Sequence, residues 1–302
     1  MLLRYFFEPI EYCEMCGDSS MKHKLLGQRL NQSQGLFPKK KAGISVSVKK
    51  CTQCGLIYSF PQPIPFDIQD HYGIPPENYW RPEYFKLETN YFLNQLNTAK
   101  NLLSFQKGMS ALDVGSGLGK CMIALESEGF DAYGIEPSQS FYETSISKMN
   151  INPLKLKLGA IEEVDYQNNF FDFITFGAAF EHLYHPAKTL EKTMKWLKPN
   201  GIIHIEVPSS KWLIAKLINF YYRLKGTNLV TNLSPMHTPF HLYEFDIKSF
   251  ILLGERLNFI IEEYKYDVCE LFFIPKLFQS LFRKYMEWTN TGMQLTVYLR
   301  KK

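Results

Sequence analysis

Short apolar runs alternate along this chain with longer stretches in which apolar residues recur at helical spacing. Ala111, Leu112 and Val114 read as a buried strand, a Gly-x-Gly-x-Gly turn (Gly115, Gly117, Gly119) follows at once, and a helix opens near Lys120. The run ending at Glu136 predicts the next strand, 170–176 (Phe-Phe-Asp-Phe-Ile-Thr-Phe) a fully buried one, 201–208 another and 293–299 a last one. Helical spacing covers 80–105 and 187–198, the second stopped by Lys198-Pro199-Asn200-Gly201. Strands alternating with helices predict a doubly wound α/β sheet.

Glycines at 115 and 117 let the backbone turn sharply and approach a ligand that a Cβ would block. Glu136 closes the following strand, where a carboxylate can accept hydrogen bonds from both hydroxyls of a ribose. The spacing excludes two nucleotide sites. A dinucleotide fingerprint needs a third glycine where Lys120 stands, and a P-loop needs a glycine at Val114 and a hydroxyl at Cys121. Asp113, just ahead of the turn, suits a cationic ligand better than a pyrophosphate.

At these residues the chain resembles the class I S-adenosylmethionine-dependent methyltransferases, whose first motif reads like 112–119 and whose second ends in an acid like Glu136. Further segments follow in family order: 159–164 (Gly-Ala-Ile-Glu-Glu-Val), the strand 170–176, a Glu181-His182 pair leading to Pro186, and Phe240-His241-Leu242 ahead of a helix. The resemblance covers about residues 105–302 and implies a Rossmann-like sheet of seven strands, the last antiparallel. It implies S-adenosylmethionine contacts at Asp113, Gly115, Ser116, Gly117, Gly119, Glu136, Ile161 and Phe176. Where many relatives carry an Asp for the adenine amino group this chain has Ala160, which leaves that contact to backbone and Ile161.

Methyl transfer from a sulfonium asks the protein to place the acceptor, exclude water and remove one proton. A base titrating near neutrality suits the last task, so His182 is the first candidate, with Glu181 as orienter or second acid and His241 next. His185 and His204 read as structural; His23, His71 and His237 carry no signal. Some related O-methyltransferases bind a divalent metal with Glu-x-x-Glu-His. Ala178 stands at the first of those positions, so no catalytic metal is expected at this loop.

The front of the chain carries an independent signal. Cys13-x-x-Cys16-Gly17 and Cys51-x-x-Cys54-Gly55 form two knuckles, and four thiolates in two close pairs suit a tetrahedral structural zinc. Residues 28–41 then form a hairpin or excursion between them. Disulfides are the competing reading. The lack of a signal-peptide pattern or transmembrane run favours a reducing, cytoplasmic setting. Proline at 61, 63, 65, 75 and 76 marks a linker, which predicts a zinc-ribbon-like module over 1–75 and a catalytic domain over 76–302.

A zinc module ahead of such a domain resembles the nucleotide-sugar methyltransferases, including deoxysugar C-methyltransferases. That resemblance implies a small, sugar-containing acceptor. Ala179 replaces a tyrosine that assists C-methylation there, so O-methylation fits no worse. A lipid or quinone precursor is the alternative acceptor, and a scaffold or regulator that keeps the fold without catalysis is the alternative outside enzymes. Net charge is only +4 with weakly clustered basic residues, so nucleic acid is not an expected partner. Two aromatic and basic stretches, 211–225 and 271–288, read first as a lid helix and a core helix; peripheral membrane contact is the lesser reading, and neither can span a bilayer. Oligomeric state is left open.

Overall fold

The computed structural model describes residues 5–29, 44–72, 85–88, 90–233, 240–271 and 274–302. The front part contains β1 (Tyr5–Glu8), β2 (Lys24–Arg29), β3 (Ser47–Lys50), β4 (Ile57–Phe60), β5 (Gln62–Pro65) and α1 (Ile68–Tyr72). Most of the expected excursion over 28–41 and the expected boundary at 75/76 lie outside the described residues. The remainder runs α2 (Leu93–Leu103), β6 (Ser110–Val114), α3 (Lys120–Ser127), β7 (Asp131–Glu136), α4 (Gln139–Met149), β8 (Leu156–Leu158) and β9 (Phe171–Gly177). It continues through α5 (Pro186–Trp196), β10 (Leu197–Pro208), α6 (Leu213–Leu224), β11 (Leu229–Val230), β12 (Tyr243–Glu244), α7 (Ile247–Leu257), β13 (Phe259–Asp267), α8 (Lys276–Trp288) and β14 (Gln294–Lys301).

Seven of these strands form one sheet in the order β13-β14-β10-β9-β6-β7-β8. All run parallel except β14, which is antiparallel to both neighbours. The expected α/β sheet with an antiparallel last strand is therefore present. From β6 the chain steps outward to β7 and β8, then returns to β9 on the other side of β6. That reversal opens a crevice at the carboxyl ends of β6 and β9, where open α/β sheets bind ligands. Buried runs drive the central strands: Phe171, Phe173, Ile174 and Phe176 of β9 and Ile202, Ile203 and Ile205 of β10 are buried on both faces.

The front part is joined to this sheet rather than hung from it. A second sheet has the order β11-β2-β3-β4-β12, so two strands from late in the chain flank three from the front. Cys13, Met15, Leu56 and Tyr58 share one continuous core with Leu112, Phe180, Tyr243 and Phe250. Arg256 of α7 donates to the carbonyls of Glu14 and Met15 at 3.1 and 2.9 Å.

Two expected helices differ from the structure. Of the 80–105 stretch, 80–84 and 89 lie outside the described residues; the described helix starts at Leu93, after Phe92 in left-handed conformation (φ 61°), and Tyr91 and Phe92 line a cavity at the carboxyl edge of the sheet. The stretch 271–288 does not make a core helix: within α8 only Met286 is buried, and the helix presents Leu277, Leu281 and Trp288 to solvent. Its apolar residues are too many for the one narrow face that packs.

Gly119 ends the glycine turn with φ 77°, and a Cβ there would lie 2.5 Å from the Ile151 side chain. Gly119→Val combines a disfavoured backbone with overpacking, each worth about 1–3 kcal/mol. The variant is expected to melt well below the parent by differential scanning calorimetry; an unchanged Tm would contradict the packing described here.

Candidate active site

Residues from four carboxyl strand ends converge on a cavity of about 320 Å³ at the switch point. Gly115 and Gly117 after β6, Glu136 at the end of β7, Ile161 after β8, and Ala178, Ala179 and His182 after β9 all line it. Close packing leaves the turn little freedom: a Cβ on Gly115 (φ 74°) would stand 2.8 Å from that of Ala179. The glycine turn thus forms a cradle whose backbone faces the cavity with no room for a side chain at Gly115.

Glu136 pins this cradle. Its carboxylate accepts from Gly117 N at 2.6 Å and from Ser138 N at 2.8 Å, so the first glycine turn is tied to the strand beside it. Burial pushes its carboxyl up to about 7, against the lowering effect of those two amide donors. Asp113 is likewise raised to about 7 by burial, with the nearby Glu136 adding to the shift. Beyond Gly115 and Ala178, which line both spaces, a second cavity of about 230 Å³ holds Asp113, Ser116, Tyr91, Gln95 and Glu206. Gln95 donates to Glu206 at 2.6 Å.

Opposite the cradle stand three side chains from two separate segments. Phe180–His182 form a single tight turn after β9, and His241 comes from the segment before β12. The His182 Nδ1 donates to the Phe240 carbonyl at 2.9 Å, so in the neutral ring Nδ1 carries the proton and Nε2 is the basic nitrogen. The His182 and His241 rings are 4.8 Å apart, and His241 Nε2 lies 3.7 Å from Glu181 Oε1. Glu181 is 2% exposed, its Oε2 has no hydrogen-bond partner among the described residues, and burial raises it to about 8. One ligand atom from each of Glu181, His182 and His241 falls within 4.8 Å of the others.

The remaining expected residues fall elsewhere. Gly119 packs on Ile151, and Phe176 lies in the core against Phe180 with ring centroids 5.3 Å apart. His204 is buried with Nδ1 2.8 Å from the Thr175 hydroxyl and its Nε2 without a hydrogen-bond partner among the described residues, and His185 pairs with Glu14 of the front part at 3.2 Å. Sequence reading missed Ile68, His71 and Tyr72 of α1, which line the cavity, and Tyr91, Gln95 and Glu206 of its neighbour. No local motif marks them; the fold brings them in from outside the strand–turn–helix pattern. Burial drives His71 down to about 3, so it is a neutral wall residue, bonded to the Tyr5 hydroxyl at 3.1 Å.

At the front, the Sγ atoms of Cys13 and Cys54 are 3.5 Å apart and those of Cys16 and Cys51 3.6 Å, with all four within 4.8 Å of one another. A tetrahedral zinc with Zn–S bonds of about 2.3 Å has sulfur–sulfur edges of about 3.8 Å, so this donor set fits a closed structural site.

A family model described as "Methyltransferase domain" matches residues 87–264. Among curated proteins, demethylmenaquinone methyltransferase of Staphylococcus aureus is 31% identical over 106 residues, covering 33% of this chain and 44% of the relative. Ubiquinone biosynthesis O-methyltransferase of Bradyrhizobium diazoefficiens is 27% identical over 109 residues, covering 35% of this chain and 42% of the relative. The matched stretch thus spans less than half the length of these two relatives. Among solved structures, a SAM-dependent methyltransferase from Methanosarcina mazei aligns with TM-score 0.49 at 16% identity, covering 68% of this chain and 96% of that one. With the family match extending over more than half its length, the chain belongs to the S-adenosylmethionine-dependent methyltransferases.

Proposed function

We propose that the chain transfers a methyl group to a hydroxyl of a small acceptor, with S-adenosylmethionine seated in the cradle and the acceptor facing Glu181, His182 and His241. The observation that carries this reading is the single cavity that brings Gly115, Gly117 and Glu136 face to face with His182 and His241. In this reading Glu136 receives the ribose hydroxyls, Ile161 flanks the adenine, and Asp113 with Ser116 faces the charged methionine end. The cofactor supplies an activated methyl on a good leaving group.

The chain's own residues then place the acceptor oxygen and remove its proton. His182 Nε2 takes that proton, because the Nδ1–H bond to the Phe240 carbonyl fixes the tautomer in which Nε2 is the basic nitrogen. Glu181, 3.7 Å from His241 and held mostly protonated near neutrality by burial, takes on its negative charge as positive charge develops on the histidine pair. His182→Ala is expected to lower turnover about 10²–10⁴-fold while leaving cofactor affinity intact, measured by transfer of labelled methyl and by calorimetric titration. An unchanged rate would contradict the assigned base.

Cofactor affinity should depend on pH with a defined sign. Asp113 and Glu136, both raised to about 7, are largely protonated below that value and cannot fully accept from the ligand's hydroxyls and ammonium. Binding is therefore expected to tighten as pH rises from about 6 to 8. Their raised values act oppositely on the unliganded protein: it loses stability over the range from the ordinary carboxylate value up to about 7, since the folded state holds protons that the unfolded state has released. Affinity that is flat over this range would contradict the assignment of these carboxylates.

For the acceptor, a sugar-containing molecule is the reading that accompanies the front cysteine module. A quinone precursor is supported by the similarity to a demethylmenaquinone methyltransferase and a ubiquinone biosynthesis O-methyltransferase, and a lipid precursor is the related alternative. Labelled-methyl transfer to a panel of nucleotide sugars and hydroxylated quinone precursors separates the two. We further infer that Cys13, Cys16, Cys51 and Cys54 hold one structural zinc. In isolated zinc fingers such a site contributes about 10–16 kcal/mol, comparable with the whole net stability of a domain. Elemental analysis is expected to find one zinc per chain, and Cys51→Ser to lose it; a metal-free, fully folded parent would contradict the site.

A further inference from the structure

Helices α6 and α8 stand apart from the main core. Their inward residues, among them Ile214, Ile218, Phe282 and Met286, form a small cluster of their own with Val268 and Leu271. Their outward faces are apolar as well. On α6, Leu217, Phe220, Tyr221 and Leu224 recur at i, i+3, i+4 and i+7, and all are exposed, Leu224 to 71%. On α8, Leu277, Phe278, Leu281, Tyr285 and Trp288, at i, i+1, i+4, i+8 and i+11, share one face and are exposed as well, Leu277 at 85% and Trp288 at 81%. Single exposed apolar residues are ordinary, but two adjoining helices with continuous apolar stripes mark an interaction surface.

Charge identifies what covers it. Segments 211–225 and 276–288 hold seven lysines and arginines against one carboxylate, Glu287, a net +6 when the whole chain carries +4. At 3.6 residues per turn, Lys216 and Arg223 flank the α6 stripe on one side and Lys225 on the other, and all three are exposed. Lys276 and Lys284 are exposed on α8. A second copy docked face to face would set these like charges against each other, and a nucleic acid would meet an apolar centre. Apolar stripes bordered by cations match the boundary between acyl chains and anionic headgroups. Among the described residues no helix is long and apolar enough to cross a membrane, so the contact is peripheral.

Topology places this face beside the site. Strands β10 and β13 run in the same direction as β6, so α6 and α8, which follow them, leave from the same edge of the sheet as the cofactor cradle. Antiparallel neighbours such as β13 and β14 need only a short hairpin, yet residues 268–293, with α8, are inserted between them. A chain of hydrogen bonds ties α6 to the acceptor side: Asn219 to Asn232 at 2.7 Å, then Asn232 to Glu244 at 2.6 Å, three residues from His241.

We propose that α6 and α8 together dock on an anionic lipid bilayer, lying in its interfacial plane and presenting the carboxyl edge of the sheet to the membrane. The docking does not depend on which acceptor is methylated. The test is flotation of the full chain with vesicles of phosphatidylcholine plus phosphatidylglycerol, and with phosphatidylcholine alone. The chain is expected to float with the mixed vesicles, less so at high salt, and weakly with phosphatidylcholine alone. Leu217→Ser, Phe220→Ser, Leu281→Ser and Trp288→Ser combined should lower partitioning at least about tenfold with cofactor affinity unchanged, since each side chain is outside the folded core. Lys216→Gln, Lys276→Gln and Lys284→Gln combined should lower binding to the mixed vesicles only. A parent chain that does not float, equal flotation on both vesicle types, or a serine variant that floats like the parent would each overturn the proposal. So would a parent that stays off vesicles yet dimerises through this face in sedimentation, because a second copy would then be the occupant.

Discussion

The segment from Phe240 to Phe245 is the constraint on which the rest of this structure depends. Its backbone is bonded on one side to the turn after β9, through Leu242 N to Glu181 O at 2.9 Å and His182 Nδ1 to Phe240 O at 2.9 Å. On another side it bonds to the front part, through Ser59 N to Leu242 O at 3.0 Å and the β12–β4 pairing of Tyr243 with Tyr58. Phe245 N also caps the end of β10 by donating to Pro208 O at 2.8 Å. One short stretch thus holds three parts of the chain together and carries His241 into the cavity.

This arrangement gives the cysteine cluster a role in the site without giving it any chemistry. Tyr243 shows how: its hydroxyl accepts from Gln62 at 2.5 Å and donates to the Tyr184 carbonyl at 3.0 Å, and its ring is buried in the core that includes Cys13, Cys51 and Cys54. The cradle side is built differently. Gly115, Gly117 and Glu136 are positioned within the large sheet by backbone amides, so the glycine-turn side and the His182–His241 side of the cavity, the proposed cofactor and acceptor halves, rest on separate supports. Between them lie buried acids, Glu136 and Glu181, whose charge is costly until a ligand or a cationic partner meets it.

Legibility in the sequence follows from locality. The strands around 111–114, 170–176, 201–208 and 293–299 were readable because buried strands are short apolar runs, and the cradle because a glycine turn, an acid before it and an acid on the next strand are all fixed by local spacing. Glu181 and His182 were readable as a pair, and His241 as a neighbour of the site only through resemblance. What could not be read were contacts made at long separation: Ile68, His71 and Tyr72 reaching the cavity from the front, β11 and β12 completing a sheet begun before residue 60, and the solvent exposure of α8. An amphipathic helix looks alike in sequence whether its apolar stripe meets a core or a surface. The break just ahead of α2 was hidden for a different reason, since a non-glycine residue in left-handed conformation, Phe92, has no local signature.

The central claim is that the cysteine cluster, through residues 240–245, holds the acceptor half of the site. Hydrogen-exchange mass spectrometry of the chain before and after metal removal by a chelator tests it most directly. The account predicts that protection is lost together over 47–60, 180–184 and 240–245, while the cradle over 111–117 and 131–138 keeps its protection. Loss confined to the front strands, with 180–184 and 240–245 unchanged, would contradict it.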